Sequence, residues 1–131
     1  MPAFLNRYGD VTYALLRVVA GGMFACHGAQ KVLGAFGGQA VPLQSMMGFA
    51  GVVELVGGLM VAVGLLSGWA AFLCSGQMAV AYFMVHAKQG LLPIVNKGEL
   101  AVLYCFVFLY IASRGSGRWS LDAALGRPRR P

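Results

Sequence analysis

The segment Leu15–Lys31 constrains the fold of this chain more than any other stretch. It reads LLRVVAGGMFACHGAQK, which is apolar enough to cross a bilayer but carries charges near both ends. At about 100° per residue, one helical face collects Arg17, Gly21, Phe24, Gly28 and Lys31, with His27 at its edge. A charge inside a spanning helix costs at least a few kcal/mol, so it faces protein or water. This face is therefore predicted to pack against other helices.

The composition is that of an integral membrane protein. Hydrophobic residues make up 59% of the 131 residues and charged residues only 11%, whereas roughly a quarter of a soluble domain is charged. The formal charge is +6, but the basic residues flank apolar segments and fill the C-terminal tail. They form no basic face typical of a soluble protein, so the lipid bilayer is the expected partner and nucleic acid is not.

Four apolar segments predict an all-α membrane protein, an antiparallel four-transmembrane-helix bundle that forms one domain over residues 1–131. The spans are predicted at about 11–30, 46–66, 69–87 and 96–113, followed by a basic tail over 114–131. Glycine and proline make 31–45 a loop. The short Ser67-Gly68 turn makes the second and third spans antiparallel neighbours. Ser120 is an expected N-cap for a short cytoplasmic surface helix, Leu121–Leu125, before a disordered basic end.

The distribution of lysine and arginine predicts the orientation. Six arginines fall on one side of the predicted spans, and they are Arg7, Arg114, Arg118, Arg127, Arg129 and Arg130. Three lysines fall on the other side, and they are Lys31, Lys88 and Lys97. This asymmetry favours both termini in the cytoplasm.

Cysteine spacing predicts no disulfide. The chain contains Cys26, Cys74 and Cys105, which form no C-x-x-C motif and lie at different predicted depths. All three are expected to be small core residues.

Arg17 and Glu54 are the predicted buried pair, because Glu54 is the one formal charge of the second span. At about 1.5 Å per residue, Arg17 lies about 10 Å from the inner edge of the membrane core and Glu54 about 10 Å from its outer edge. In a core about 30 Å thick, about 10 Å along the membrane normal then separates the two charges. This distance must be closed by helix tilt, by the long arginine side chain, or by a bridging ligand or water. Arg17 could also contact an anion or a quinone oxygen, but the structural role is favoured.

Ionisable residues concentrate in the outer half of the predicted bundle. The candidate catalytic residues are His27, His86, Glu54 and Glu99, and the candidate cofactor contacts are Arg17, Lys31 and Asn96. Histidine beside a carboxylate is suited to moving protons near neutral pH. An interlocked polar cap, in which the same groups only hold helices together, is an equal alternative.

Metal and haem sites are not predicted. Two histidines on different helices can ligate haem iron, but no haem signature surrounds His27 or His86. Glu99 is a conceivable third zinc ligand, but nothing in the sequence selects it. Gln77 lies about 180° around its helix from His86, so we expect its amide to be satisfied by a helix–helix hydrogen bond instead.

Several motifs resemble the DoxX family. The pattern R-x-x-x-G-x-x-F-x-x-H-G-x-x-K from Arg17 to Lys31 is similar to the first-helix signature of that family. Further similarities cover nearly the whole chain. They are E-x-x-G-G at Glu54, a histidine near the end of the third span at His86, N-x-x-E-L-A at Asn96, and G-R-W-S-L-D at Gly117. The resemblance implies a four-helix inner-membrane protein. Members include a small subunit associated with thiosulfate:quinone oxidoreductase, and others are linked to thiol and oxidative-stress redox complexes.

Three functions follow as hypotheses. The first is a subunit of a quinone- or thiol-linked redox system, with quinone as the candidate cofactor and a soluble or membrane redox partner. The second is a non-catalytic membrane anchor or assembly protein, and the third, less favoured, is a small-solute transporter. The sequence leaves open whether the chain forms a homo-oligomer and whether it has catalytic activity of its own.

Overall fold

The computed structural model describes residues 3–127, and every regular element within that range is helical. Four longer helices are α1 (Gly9–Leu33), α2 (Met46–Val63), α3 (Ser67–Gln89) and α4 (Glu99–Arg114). Short helical turns lie at Ala3–Asn6, Pro93–Asn96 and Leu121–Ala124. The all-α prediction is confirmed for the described residues.

Helix α1 buries the face that its periodicity predicts. Arg17, Gly21, Phe24 and Gly28 are all buried. The helix ends at Leu33 because Gly34 adopts a left-handed conformation with φ of 67°. The helix thus continues about one turn past the predicted start of the loop at residue 31, and Lys31 lies on it, as the periodicity of this face predicts.

Helices α1 and α2 approach each other closely along a line of glycines. A Cβ atom added to Gly21 would lie 2.6 Å from the carbonyl oxygen of Gly58, and one added to Gly28 would lie 2.6 Å from that of Gly51. Residues later in α1 thus contact residues earlier in α2, so this pair of helices is antiparallel. Small residues on both helices permit the backbone contact.

The remaining helices close the core. A tight turn with left-handed Gly64 and Leu66 joins α2 to α3. Helix α3 packs along α4, where the Ser75 hydroxyl donates to the carbonyl oxygen of Cys105 at 2.8 Å. The ring of Phe24 in α1 lies 4.7 Å from the ring of Phe108 in α4, measured between centroids. This places aromatic side chains between the first and last long helices.

Three of the long helices have the length and hydropathy needed to cross a membrane, namely α1, α2 and α3. Helix α4 has 16 residues and ends at Arg114. Many large apolar side chains point outward, and Phe72, Leu73 and Phe106 are each more than half exposed. An outward apolar surface of this kind suits lipid rather than water.

The segment after α4 folds back on the rest of the chain. Ser120 caps the Leu121–Ala124 turn by accepting a hydrogen bond from the Ala123 amide at 3.2 Å. The Asp122 amide donates to the carbonyl oxygen of Gly64 at 3.0 Å. The segment is therefore docked at the α2–α3 turn as far as Arg127. The predicted disordered end falls on residues 128–131, which lie outside the described residues.

The three cysteines are free thiols. Cys74 is buried and Cys105 is half-buried, but Cys26 is exposed. The expectation that all three are core residues is wrong for Cys26, because its position on α1 lies outside the face that packs against α2.

Candidate functional site

Glu54 forms the centre of a buried polar cluster. Its two carboxylate oxygens accept hydrogen bonds from Lys31 Nζ at 2.6 and 2.8 Å. Gln77 Nε2 donates to Oε1 of the same carboxylate at 3.1 Å. The three residues come from α1, α2 and α3, so one buried carboxylate connects three helices. We call Lys31, Glu54 and Gln77 the carboxylate cluster.

The local backbone explains how this cluster forms. Glu54 lies in a π-helical stretch, Val53–Gly57, within α2, and such irregularities are frequent at functional sites. A Cβ atom added to Gly51 would lie 2.8 Å from Lys31 Cβ. The small residue one turn before Glu54 thus lets the lysine stem cross α2 and bring its ammonium to the carboxylate.

The two ends of the ion pair differ in exposure. The Glu54 side chain is 3% exposed and the Lys31 side chain is 26% exposed. The pair therefore joins the interior of the helix assembly to its surface at the end where α1 terminates. A buried carboxylate with a cation that reaches the surface has the chemistry for exchanging a proton or holding a polar oxygen.

Gln77 confirms the expectation that its amide bonds across helices. Its amide makes the predicted helix–helix hydrogen bonds, to Glu54 and to the carbonyl oxygen of Ala50 at 3.3 Å. The structure brings it to Glu54, because the Gln77 face of α3 packs against α2.

The predicted Arg17–Glu54 pair is wrong. Arg17 is 1% exposed, and its Nε donates to the carbonyl oxygen of Val61 at 3.0 Å. Its Nη1 donates to the carbonyl oxygen of Ser116, and its Nη2 donates to that of Trp119 at 2.6 Å. Within residues 3–127, no carboxylate forms an ion pair with Arg17. Its binding site is built from backbone, and two of the three acceptors follow α4.

Glycines shape the site around Arg17. At Gly64, whose φ is +79°, an added Cβ atom would lie 3.0 Å from the Arg17 Cζ atom. At Gly117, with φ of +73°, it would lie 2.9 Å from the Tyr13 ring and 3.8 Å from Arg17 Nη1. The Tyr13 hydroxyl donates to the carbonyl oxygen of Gly115 at 2.5 Å. Turns at glycine, which has no side chain, thus let the backbone close over the guanidinium. We call Arg17, its three carbonyl acceptors and the glycines Gly64 and Gly117 the arginine cradle.

Asn96 and His86 belong to a third cluster, at the connection between α3 and α4. Asn96 is 1% exposed, and its Nδ2 donates to the Tyr82 hydroxyl at 3.1 Å and to the carbonyl oxygen of Gly90 at 2.7 Å. His86 Nδ1 lies 3.1 Å from the Asn96 carbonyl oxygen. These bonds hold the loop closed, so Asn96 has a structural role that its sequence motif did not reveal.

His27 and Glu99 stand apart from the other candidates. Both are exposed. The His27 ring meets the Tyr104 ring edge-on, with 6.3 Å between centroids. The structure brings together Lys31 and Glu54, and separately His86 and Asn96, but not all the candidates at one point. Among residues 3–127, no group of three His, Cys, Asp or Glu side chains could hold a metal ion.

Sequence reasoning missed the partners of Arg17 and the roles of Tyr82 and Tyr104. Ser116 and Trp119 contribute only carbonyl oxygens, which leave no trace in residue type. The Tyr104 hydroxyl is buried and has no hydrogen-bond partner among the described residues. The mismatch of about 10 Å in depth between Arg17 and Glu54 was the signal that their pairing was wrong.

The apolar helices, the outward apolar surface and the buried ionisable groups define an integral membrane protein. A family model for DoxX matches residues 12–87, a region that contains Arg17, Lys31 and Glu54. An uncharacterized protein of Haemophilus influenzae is 42% identical over 125 residues, covering 90% of this chain and 93% of that protein. The chain belongs to the DoxX family. No solved structure matches it.

Proposed function

We propose that this chain is a small inner-membrane subunit of a redox system, in which the carboxylate cluster holds the oxygen of a quinone or quinol headgroup. A soluble or membrane partner exchanges electrons with that headgroup. The observation that carries the proposal is the Lys31–Glu54 pair, with one buried and one surface-reaching member. Reduction of a quinone takes up protons as well as electrons, and an ionisable pair of this geometry can supply or accept them.

The chemistry of the nearby side chains fits a quinone. Lys31 Nζ has three N–H donors and contacts the two Glu54 oxygens, so one donor remains for a ligand oxygen. The Tyr104 hydroxyl is a second buried donor without a partner among the described residues. Its ring stacks on Phe108 with an interplanar angle of 10°. When bound, a quinone would supply the electron-accepting chemistry, and these residues would orient it and hold or move a proton.

Quinone retention after purification tests the proposal. The protein is reconstituted with ubiquinone in nanodiscs, and bound quinone is extracted and quantified by chromatography. We expect Glu54→Gln to lower the quinone retained per folded protein roughly tenfold, because the ammonium of Lys31 loses the carboxylate that holds it in place. Glu99→Gln is the matched control, since Glu99 is an exposed carboxylate. Equal loss in both variants, or no quinone in the wild type, would contradict the site.

A non-catalytic anchor or assembly protein is the second candidate. The observation that favours it is the Asn96 cluster, in which one buried amide ties Tyr82 of α3 to Gly90 and Gly98 of the α3–α4 connection. If this is the whole function, Glu54→Gln lowers the melting temperature and leaves the turnover of the partner unchanged per folded molecule. The redox proposal expects the opposite result, in which the turnover of the partner per folded molecule falls and the melting temperature changes little.

We propose an antiparallel four-span topology with both termini in the cytoplasm. Arginines concentrate at the end where α1 begins and α4 terminates, which is the pattern of cytoplasmic segments. Single cysteines placed at Gly37 and Gly90, in a background without native cysteine, should react with a membrane-impermeant maleimide added outside. A cysteine at Arg118 should react only after permeabilisation. External labelling at Arg118 would reverse the orientation.

A further inference from the structure

A cavity of about 920 Å³ opens beside the arginine cradle. It lies between the beginning of α1, the end of α2 and the segment after α4. Its polar lining includes Arg7, Asp10, Arg17 and Arg118. This cavity is separate from the carboxylate cluster, and the proposed quinone site does not use it.

The lining carries excess positive charge. Three arginines face one aspartate, Asp10, among the described residues that line the cavity. The negative charge of Asp10 is already shared between two arginines, because its carboxylate lies 3.7 Å from both Arg118 Nη1 and Arg114 Nη2. Asp10 therefore cannot neutralise Arg7 or Arg17 as well, and the cavity should attract anions.

Arg17 lies in the wall of the cavity and uses only part of its hydrogen-bonding capacity. A guanidinium has five N–H donors, and Arg17 uses three of them on the carbonyl oxygens of Val61, Ser116 and Trp119. The other two have no acceptor among residues 3–127. A buried cation without an ion pair is unfavourable, and an anion held nearby would offset its charge. Arg17 itself is only 1% exposed, so direct contacts fall to the exposed Arg7 and Arg118, whose planar guanidinium forks suit phosphate oxygens.

Apart from Ser120, the rest of the lining is apolar, and its largest side chains face outward. Val11, Val18 and Val63 line the cavity and are each between 43% and 51% exposed. Trp119, also in the lining, is 63% exposed, and tryptophan is enriched where a membrane meets water. A soluble anion would gain nothing from the valines. A molecule with a charged headgroup and hydrocarbon chains would contact both parts.

We propose that this cavity binds an anionic phospholipid. Its phosphate accepts hydrogen bonds from Arg7 and Arg118, and the charge of the buried Arg17 in the wall beneath attracts it further. Its acyl chains lie along Val11, Val18 and Val63. The C-terminal segment closes one wall of the site, so the bound lipid also fastens that segment to α1.

Native mass spectrometry of the delipidated protein in detergent, titrated with phosphatidylglycerol or phosphatidylcholine, tests the site. We expect one phosphatidylglycerol to bind at least about tenfold more tightly than phosphatidylcholine. The double variant Arg7→Gln/Arg118→Gln should lose roughly that preference. The attraction of each basic residue for anionic lipid at a membrane surface is comparable in size to the free energy of a tenfold change in affinity. Lys88→Gln/Lys97→Gln removes the same charge from exposed lysines outside the lining and should keep the preference. Asp10→Asn should strengthen it.

Three results would overturn the proposal. The first is equal affinity for the two lipids. The second is an equal loss in both double variants, since that would show attraction by net charge alone. The third is displacement of phosphatidylglycerol by millimolar inorganic phosphate, since that would identify a site for a soluble anion. Arg7 and Arg118 are exposed, and unchanged melting temperatures will show that their substitution leaves the fold intact.

Discussion

Arg17 and Glu54 are both almost fully buried, and the protein satisfies them in opposite ways. Glu54 bonds to side chains, one of which carries the opposite charge. Arg17 bonds to backbone carbonyl oxygens, which carry only partial charge. The carboxylate cluster is therefore close to neutral, while the arginine cradle keeps a full positive charge. The first arrangement depends on which side chains face each other, and the second depends on the path of the chain.

Removal of Arg17 should have the largest effect. Arg17→Gln leaves carbonyl oxygens of Val61, Ser116 and Trp119 without their donors. We expect the free energy of unfolding to fall by about 3 kcal/mol or more, measured by reversible unfolding in SDS. Trypsin should cleave after Arg118 faster than in the wild type, because the C-terminal segment loses its bonds to Arg17 of α1 and keeps those of Asp122 to the α2–α3 turn.

Arg17→Lys is the control for charge. A lysine keeps the positive charge but lacks the planar fork, so we expect it to lose nearly as much stability as Arg17→Gln. Full stability of Arg17→Lys would mean that the charge, and not the backbone geometry, holds the cradle together.

Removal of Lys31 should have a smaller effect that a second substitution can reverse. Lys31→Met leaves Glu54 buried beside only Gln77, and we expect a loss of about 2 kcal/mol, reduced by the partial exposure of Lys31. Adding Glu54→Gln should restore part of it, giving a coupling energy of about 1 kcal/mol in a double-mutant cycle. The pair Arg17→Gln and Glu54→Gln should instead be additive within about 0.5 kcal/mol. Strong coupling of Arg17 to Glu54 would contradict the two separate sites.

The glycine contact between α1 and α2 supports both sites and should show the smallest effect. A Cβ atom at Gly21 would lie 2.6 Å from the Gly58 carbonyl oxygen and 2.7 Å from the Ala62 amide nitrogen. We expect Gly21→Ala to lower the free energy of unfolding by about 1–2 kcal/mol. At the adjacent Gly22 nothing lies within 4 Å, so Gly22→Ala should be neutral or stabilising by up to about 1 kcal/mol. Similar losses in both variants would rule out close packing as the cause.

The buried face of α1 was predictable because helical periodicity is written directly in residue type. Arg17, Gly21, Phe24 and Gly28 fall on one face, and only a protein neighbour can cover a charge and two glycines. The helix–helix hydrogen bond of Gln77 was predictable for the same reason, since an amide in an apolar helix needs a partner.

The partners of the two charges were not predictable in the same way. Every residue has a carbonyl oxygen, so nothing in the identity of Ser116 or Trp119 marks it as an acceptor for Arg17. Lys31 was placed on the same helical face as Arg17 but just past the predicted end of the span at residue 30, whereas α1 continues to Leu33. Only charges inside the predicted spans were considered as partners for Glu54. Arg17 was then chosen as the partner of Glu54 because its charge is opposite, although the estimated depths of the two residues did not match.

The distance in sequence between Arg17 and its acceptors affects how the protein is made. Ser116 and Trp119 lie 99 and 102 residues after Arg17. At the usual rate of translation of about 5–20 residues per second, roughly 5–20 s pass between the synthesis of the arginine and that of its acceptors. During this interval the first helix enters the membrane with an incompletely coordinated cation. The ribosome must therefore synthesise the chain as far as Trp119 before Arg17 obtains its full set of acceptors.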